Sequence, residues 1–99
     1  MKIALDYDST ILQDRVLWET FVTLAKLRKY EVVLVTNRSE GESNDDLEYD
    51  AEALGLQTIY CAGTQKQDCF GADIWVDSRP DRVVSTDGVV YLSGVLNCS

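Results

Sequence analysis

The segment Lys2-Ile3-Ala4-Leu5-Asp6-Tyr7-Asp8-Ser9-Thr10 decides the fold. Its first half is nearly continuous in apolar character, the pattern of a strand covered on both faces. Residues 2–7 therefore read as a buried strand of a parallel sheet, with Asp6 at its carboxyl end. Working outward, residues 15–29 carry Leu17, Phe21 and Leu24 at helical spacing, with Trp18, Val22 and Ala25 beside them, behind Asp14 as N-cap. Glu31-Val32-Val33-Leu34-Val35 is the second strand and runs into Thr36-Asn37-Arg38. Leu47, Ala51 and Leu54 mark a second helix, which Gly55 terminates. Residues 58–61 form a short third strand, 63–71 a polar segment containing Lys66, and 72–76 a fourth strand ending at Asp77. This alternation predicts an α/β fold, a Rossmann-like three-layer sandwich around a mainly parallel sheet. After Pro80 two apolar runs flank Asp87-Gly88, a hairpin signal. Residues 82–93 are expected to form a C-terminal β-hairpin on a core spanning 2–84.

The 99 residues suffice for a single domain with one modest core. No apolar run approaches the ~20 residues of a membrane span, and Met1-Lys2-Ile3 leads into the first strand without a signal-peptide pattern. Cys61, Cys69 and Cys98 make an odd count without CxxC spacing, and there is no histidine, which argues against a zinc set. Free thiols in a reducing, cytoplasmic setting are expected. The net charge of −8 argues against a broad electrostatic grip on nucleic acid. Seven acids fall between positions 40 and 52, the pattern of a solvated helix face.

Asp6, Thr36 and Asp77 each follow directly on an apolar strand-like run. In a parallel sheet those ends share the rim where open α/β folds bind ligands. Asp6 and Asp8, two positions apart, project to the same side if extended geometry persists. Their repulsion favours one ionised nucleophile and one proton donor. Two carboxylates and a main-chain carbonyl suit Mg²⁺, with Asp77 as the distant partner. Thr36, Asn37, the N–H groups of their loop and Lys66 are candidate phosphate ligands.

Asp6-x-Asp8-x-Thr10 after the first strand, Thr36 after the second, Lys66 further on and Asp77 after the fourth resemble, in that order, the signature of the haloacid-dehalogenase-like (HAD) hydrolases. Most members of that family are Mg²⁺-dependent phosphatases. The stretches from Leu17-Trp18 to Thr36-Asn37-Arg38 and from Ala62-Gly63-Thr64-Gln65-Lys66 to Asp77 look like its small phage and bacterial members, so the resemblance covers roughly residues 2–84. It implies that Asp6 is the nucleophile of an aspartyl-phosphate mechanism and that Asp8 protonates the leaving oxygen and then activates water. It also implies that Thr36 and Lys66 hold the phosphoryl group, that Asp6, the Asp8 carbonyl and Asp77 bind Mg²⁺, and that Thr10 braces the loop. Two positions depart from the pattern. Ser78 stands where relatives often carry a second acid, leaving a supporting role and a place for Asp73 or Asp81 to assist the metal. Ser9 replaces the commonest glycine.

The connections after the first and third strands are too short for a cap domain. An uncapped cleft is expected to admit a phosphorylated substrate, small like a nucleotide or macromolecular like a nucleic-acid end, or to be closed by a partner subunit of a homo-oligomer. Arg38 and Arg79 could contact substrate phosphate, but surface ion pairs with the acidic neighbours are the expected reading. Two alternatives are a non-catalytic binding module of the same fold and a phosphorylated signalling receiver. The receiver would need a further phosphoacceptor Asp at the end of the third strand.

Overall fold

A computed structural model describes residues 1–41, 43–83 and 95–96. The chain runs β1 (Lys2–Leu5), a 3-10 turn (Ile11–Gln13), α1 (Arg15–Leu27), β2 (Glu31–Thr36), α2 (Asp45–Leu54), β3 (Gln57–Tyr60), α3 (Lys66–Cys69), β4 (Ile74–Val76), α4 (Pro80–Val83) and β5 (Val95–Leu96). Among the described residues all strand pairs are parallel, in the order β3-β2-β1-β4-β5. Ile3 aligns with Val32 on one side and Ile74 on the other. The sheet grows one way from β1 through β2 and β3, then the other way through β4 and β5, so the order reverses between β1 and β4.

Alternation along the strands builds two cores. Ile3 and Leu5 of β1 and Val32 and Leu34 of β2 face α1 and α2, meeting Val22, Ala25, Leu47 and Ala51. Ala4, Val33, Val35 and Trp75 face the other way, toward Val83 of α4 and Cys69 of α3. Helices thus cover both faces, an arrangement compatible with a Rossmann-like sandwich. Because both faces are dry, β1 and β2 need the apolar continuity that their sequence shows. Leu34 is fully buried. Truncating such a leucine to alanine costs about 3–5 kcal/mol in transfer and cavity energy.

The helix signals act as expected. The Asp14 carboxylate accepts from the Leu17 N–H at 3.1 Å, capping α1, and Gly55 ends α2 at φ 67°. The rotation of α1 differs from the expected stripe. Val22 and Ala25 are buried and Trp18 and Phe21 pack partly against the core, but Leu17 and Leu24 are 53% and 60% exposed. Apolar residues occupy so much of this helix's circumference that spacing alone does not choose the buried face.

The expected hairpin is corrected at its start. Arg82 and Val83 belong to α4, with Pro80 at the first helical position, where its missing N–H costs nothing. Residues 84–93 of that hairpin lie outside the described residues. Only turns separate β1 from α1 and β3 from α3, so no cap is inserted at either point. No helix among the described residues is long and apolar enough to cross a membrane.

Candidate active site

The parallel sheet delivers Asp6 and Asp77 to the same rim, one residue beyond the ends of β1 and β4, at the point where the strand order reverses. The Asp6 N–H donates to the Val76 carbonyl at 3.0 Å, extending the ladder to the edge of the site. Lys66, the first residue of α3, is 1% exposed and reaches between the two carboxylates. Its ammonium donates to Asp6 Oδ1 at 2.7 Å and to Asp77 Oδ2. Asp6 Oδ2 accepts from the Ser9 N–H at 2.7 Å and the Ser9 hydroxyl at 2.5 Å. Asp77 Oδ1 accepts from the Arg79 N–H at 2.9 Å.

The two carboxyls respond in opposite directions. Burial pushes Asp6 up, but the Lys66 charge and the bonds from Lys66 and Ser9 outweigh it, and its pKa lies below the usual carboxylate value. Burial and then the neighbouring Asp6 charge raise Asp77, and the Lys66 and Arg79 bonds do not fully offset them. One ammonium between two buried carboxylates leaves one negative charge uncompensated, which Asp77 expresses as affinity for a proton. A divalent cation answers the same excess. Among the described residues no three His, Cys, Asp or Glu side chains converge to hold a metal. A cation here would therefore draw on the Asp6 and Asp77 carboxylates, a main-chain carbonyl and water, a ligand set that Mg²⁺ accepts.

Asp8 is placed differently. Its side chain is half-exposed, and the Arg38 guanidinium grips it through Nη2 at 2.6 Å and Nε at 3.2 Å. The same guanidinium donates to Asp46 at 2.8 and 3.1 Å and lies over the Tyr7 ring at 5.2 Å. Arg38 thus makes the expected ion pair, and its partners are Asp8 and Asp46. The hydrogen bond from Arg38 holds Asp46 down at about 2. Tyr7, between the two aspartates, is fully buried and donates to Asp50 Oδ2 at 2.6 Å, which Arg15 also pairs at 3.1 Å. The loop between Asp6 and Asp8 is therefore tied to α2 from beneath.

Asp6, Asp8, Ser9, Asn37, Lys66, Asp77, Arg79 and Arg82 line a cleft of about 140 Å³. Four strand ends and loops thus bring together five of the expected residues. Thr36, Thr10 and Ser78 are not among the lining. Thr36 is fully buried, and its hydroxyl oxygen accepts from the Arg38 N–H at 3.2 Å, shaping the loop that presents Asn37. The Thr10 hydroxyl donates to the Val76 carbonyl at 3.4 Å, a brace between the loop and β4. Ser78 is half-buried beside Asp77. Asp73 is excluded as a metal assistant, because its carboxylate accepts from the Lys2 N–H at 2.7 Å at the opposite end of the strands. Asp81 lies in α4, and its side chain is outside the described atoms.

Ser9 and Arg82 were not legible as site residues. Ser9 had one local signal, a serine three positions after an aspartate, the spacing of a side-chain-to-backbone turn. A larger groove of about 220 Å³ lies at the other end of the sheet, lined by Met1, Ile3, Phe21, Leu24, Tyr30 and Ile74 among others. It carries no carboxylate.

No family model, curated protein or solved structure matches this chain.

Proposed function

We propose that the chain is a Mg²⁺-dependent phosphohydrolase of the HAD-like type, cleaving a phosphomonoester through an aspartyl-phosphate on Asp6. The observation that carries this reading is the buried Asp6–Lys66–Asp77 cluster at the switch point of the sheet. Lys66 and the Ser9 donors keep Asp6 ionised, as a nucleophile requires. An ionised carboxylate has about four lone-pair sites, and the three hydrogen bonds to Asp6 leave one for attack.

An Asp6 carboxylate oxygen forms a bond to phosphorus while the bond to the leaving alkoxide breaks. Asp8, which must enter protonated and so released from the Arg38 ion pair, gives that oxygen its proton. In the second half, Asp8 takes a proton from water, the water oxygen attacks phosphorus, and the bond to Asp6 breaks to release inorganic phosphate. Lys66 and Asn37 hold phosphoryl oxygens, with Thr36 fixing the loop and Thr10 the strand end. Asp6, Asp77 and the Asp8 carbonyl would hold Mg²⁺, which when bound offsets the negative charge that repels a carboxylate from a phosphate. Ser78 supports the Asp77 turn.

A signalling receiver fits less well. Such domains follow the strand order 2-1-3-4-5, whereas β1 here lies between β2 and β4. One observation favours a binding module without turnover, namely that all four oxygens of Asp6 and Asp77 already accept hydrogen bonds. A screen of nucleotides, sugar phosphates and phosphorylated oligonucleotides with Mg²⁺ or chelator separates the two. Mg²⁺-dependent release of phosphate that Asp6→Asn abolishes supports the enzyme. Mg²⁺ binding with no turnover of any substrate supports the module.

A further inference from the structure

The sequence offers nine cationic side chains against seventeen acids, yet three of the nine gather in this cleft. Lys66 is enclosed by Asp6 and Asp77 and cannot follow a second anion. Arg38 is not among the residues that line the cleft; it braces Asp8 and Asp46. Arg79 and Arg82 stand on the α4 side, three residues apart and joined through the Arg82 N–H to the Arg79 carbonyl at 3.0 Å. Both residues line the cleft, and both are exposed. On the phosphatase reading, Lys66 and Asn37 serve the phosphoryl group that is transferred. Two further guanidinium groups at the mouth therefore face the part of a substrate that leaves the cleft, and their planar forks match phosphate.

Resting on the phosphatase reading, we propose that Arg79 and Arg82 form a second anion subsite, so that the substrate carries another phosphate beside the one it loses. That group is either a second phosphomonoester of a small bisphosphate or the first phosphodiester of a short strand with a phosphorylated end. The subsite spans one phosphate and not a tract, in keeping with the acidic balance of the chain.

Calorimetry on Asp6→Asn protein tests this without turnover. The probes are adenosine 3′,5′-bisphosphate, the adenosine 3′- and 5′-monophosphates, and a 3′-phosphorylated dinucleotide. The bisphosphate or the dinucleotide is expected to bind about tenfold tighter than either monophosphate, an advantage that shrinks with added salt. Arg82→Ala and Arg79→Ala each remove most of that advantage and leave monophosphate affinity within about twofold. Preference for the bisphosphate identifies a small substrate, and preference for the dinucleotide a strand end. Equal affinity for singly and doubly charged probes, or equal loss of both in Arg82→Ala, overturns the subsite. The wild-type kcat/KM series separates the two readings. Turnover of monophosphates without preference for a second phosphate overturns the subsite alone, whereas arginine-dependent binding with no turnover overturns the phosphatase reading alone.

Discussion

Replacing Lys66 by methionine keeps the length of the side chain and removes the charge that Asp6 and Asp77 share. Lys66 and Asp77 have side chains only 2% and 3% exposed, and Asp6 10%, so water cannot take over the lost interaction. Removing one partner of a buried ion pair costs about 3–5 kcal/mol. Here one ammonium serves two carboxylates, so the upper part of that range applies at neutral pH, against a total stability of about 5–15 kcal/mol for a domain. The sign with pH follows from the carboxyls. In the wild type, Asp6 lies below its ordinary 3.8, so its contribution is in place above that value and is lost as pH falls through the folded-state pKa. In Lys66→Met, burial and mutual repulsion raise both carboxyls. The penalty is then full at neutral pH and falls as acid supplies a proton to the pair, at about 1.4 kcal/mol per proton per pH unit. Urea unfolding of both proteins near neutrality and near pH 5 measures the difference. We expect a loss of about 4–5 kcal/mol that shrinks by at least about 1 kcal/mol at the lower pH. A loss below about 1 kcal/mol, or one that does not change with pH, would show that the two carboxylates do not depend on Lys66.

Tyr7→Phe removes a buried hydroxyl bonded to a carboxylate and is expected to cost about 1.5–3 kcal/mol in the same assay. Burial and then Asp50 push the Tyr7 hydroxyl up to about 12 from 10.0. Its contribution is therefore full below pH 10.0 and lost as pH rises toward 12, and the difference in tyrosinate absorbance between wild type and Tyr7→Phe should appear near the upper value. Gly55→Ala places a Cβ at φ 67° and 2.7 Å from the Lys26 ammonium, which donates to the Leu54 and Gly55 carbonyls. A loss of about 1–2 kcal/mol in thermal unfolding is expected. Asp14→Ala deletes the cap of α1 and should cost about 0.5–2 kcal/mol, with Asp14→Asn largely restoring it.

Much of the sheet was legible because its information is local. The unbroken apolar runs at Ile3-Ala4-Leu5 and Val32-Val33-Leu34-Val35 demand cover on both faces, and Asp14 and Gly55 punctuate the helices by their own chemistry. The meeting of Asp6, Lys66 and Asp77 was legible only because each follows a strand or opens the next element, so that topology alone brings them to one rim. The rotation of α1 depended on which of several apolar residues reached the sheet first, a packing question that periodicity leaves open. The grip of Arg38 on Asp8 spans thirty positions, and no local pattern announces it. Pro80 carried the helix signal that Asp87-Gly88 overshadowed. Ser9 stands in sequence only as a replacement for glycine, yet its two donors make it part of the Asp6 environment.

Whether Asp6 accepts a phosphoryl group is read from the mass of the protein itself. Wild-type protein and Asp6→Asn are mixed with a turned-over phosphomonoester and Mg²⁺, quenched in acid within the first turnovers, digested and analysed by mass spectrometry. One added phosphoryl group is expected on the wild-type peptide that contains Asp6, absent from Asp6→Asn, with phosphate release lost in that variant. Continued phosphate release by Asp6→Asn, or wild-type turnover with the label on another residue, would contradict it.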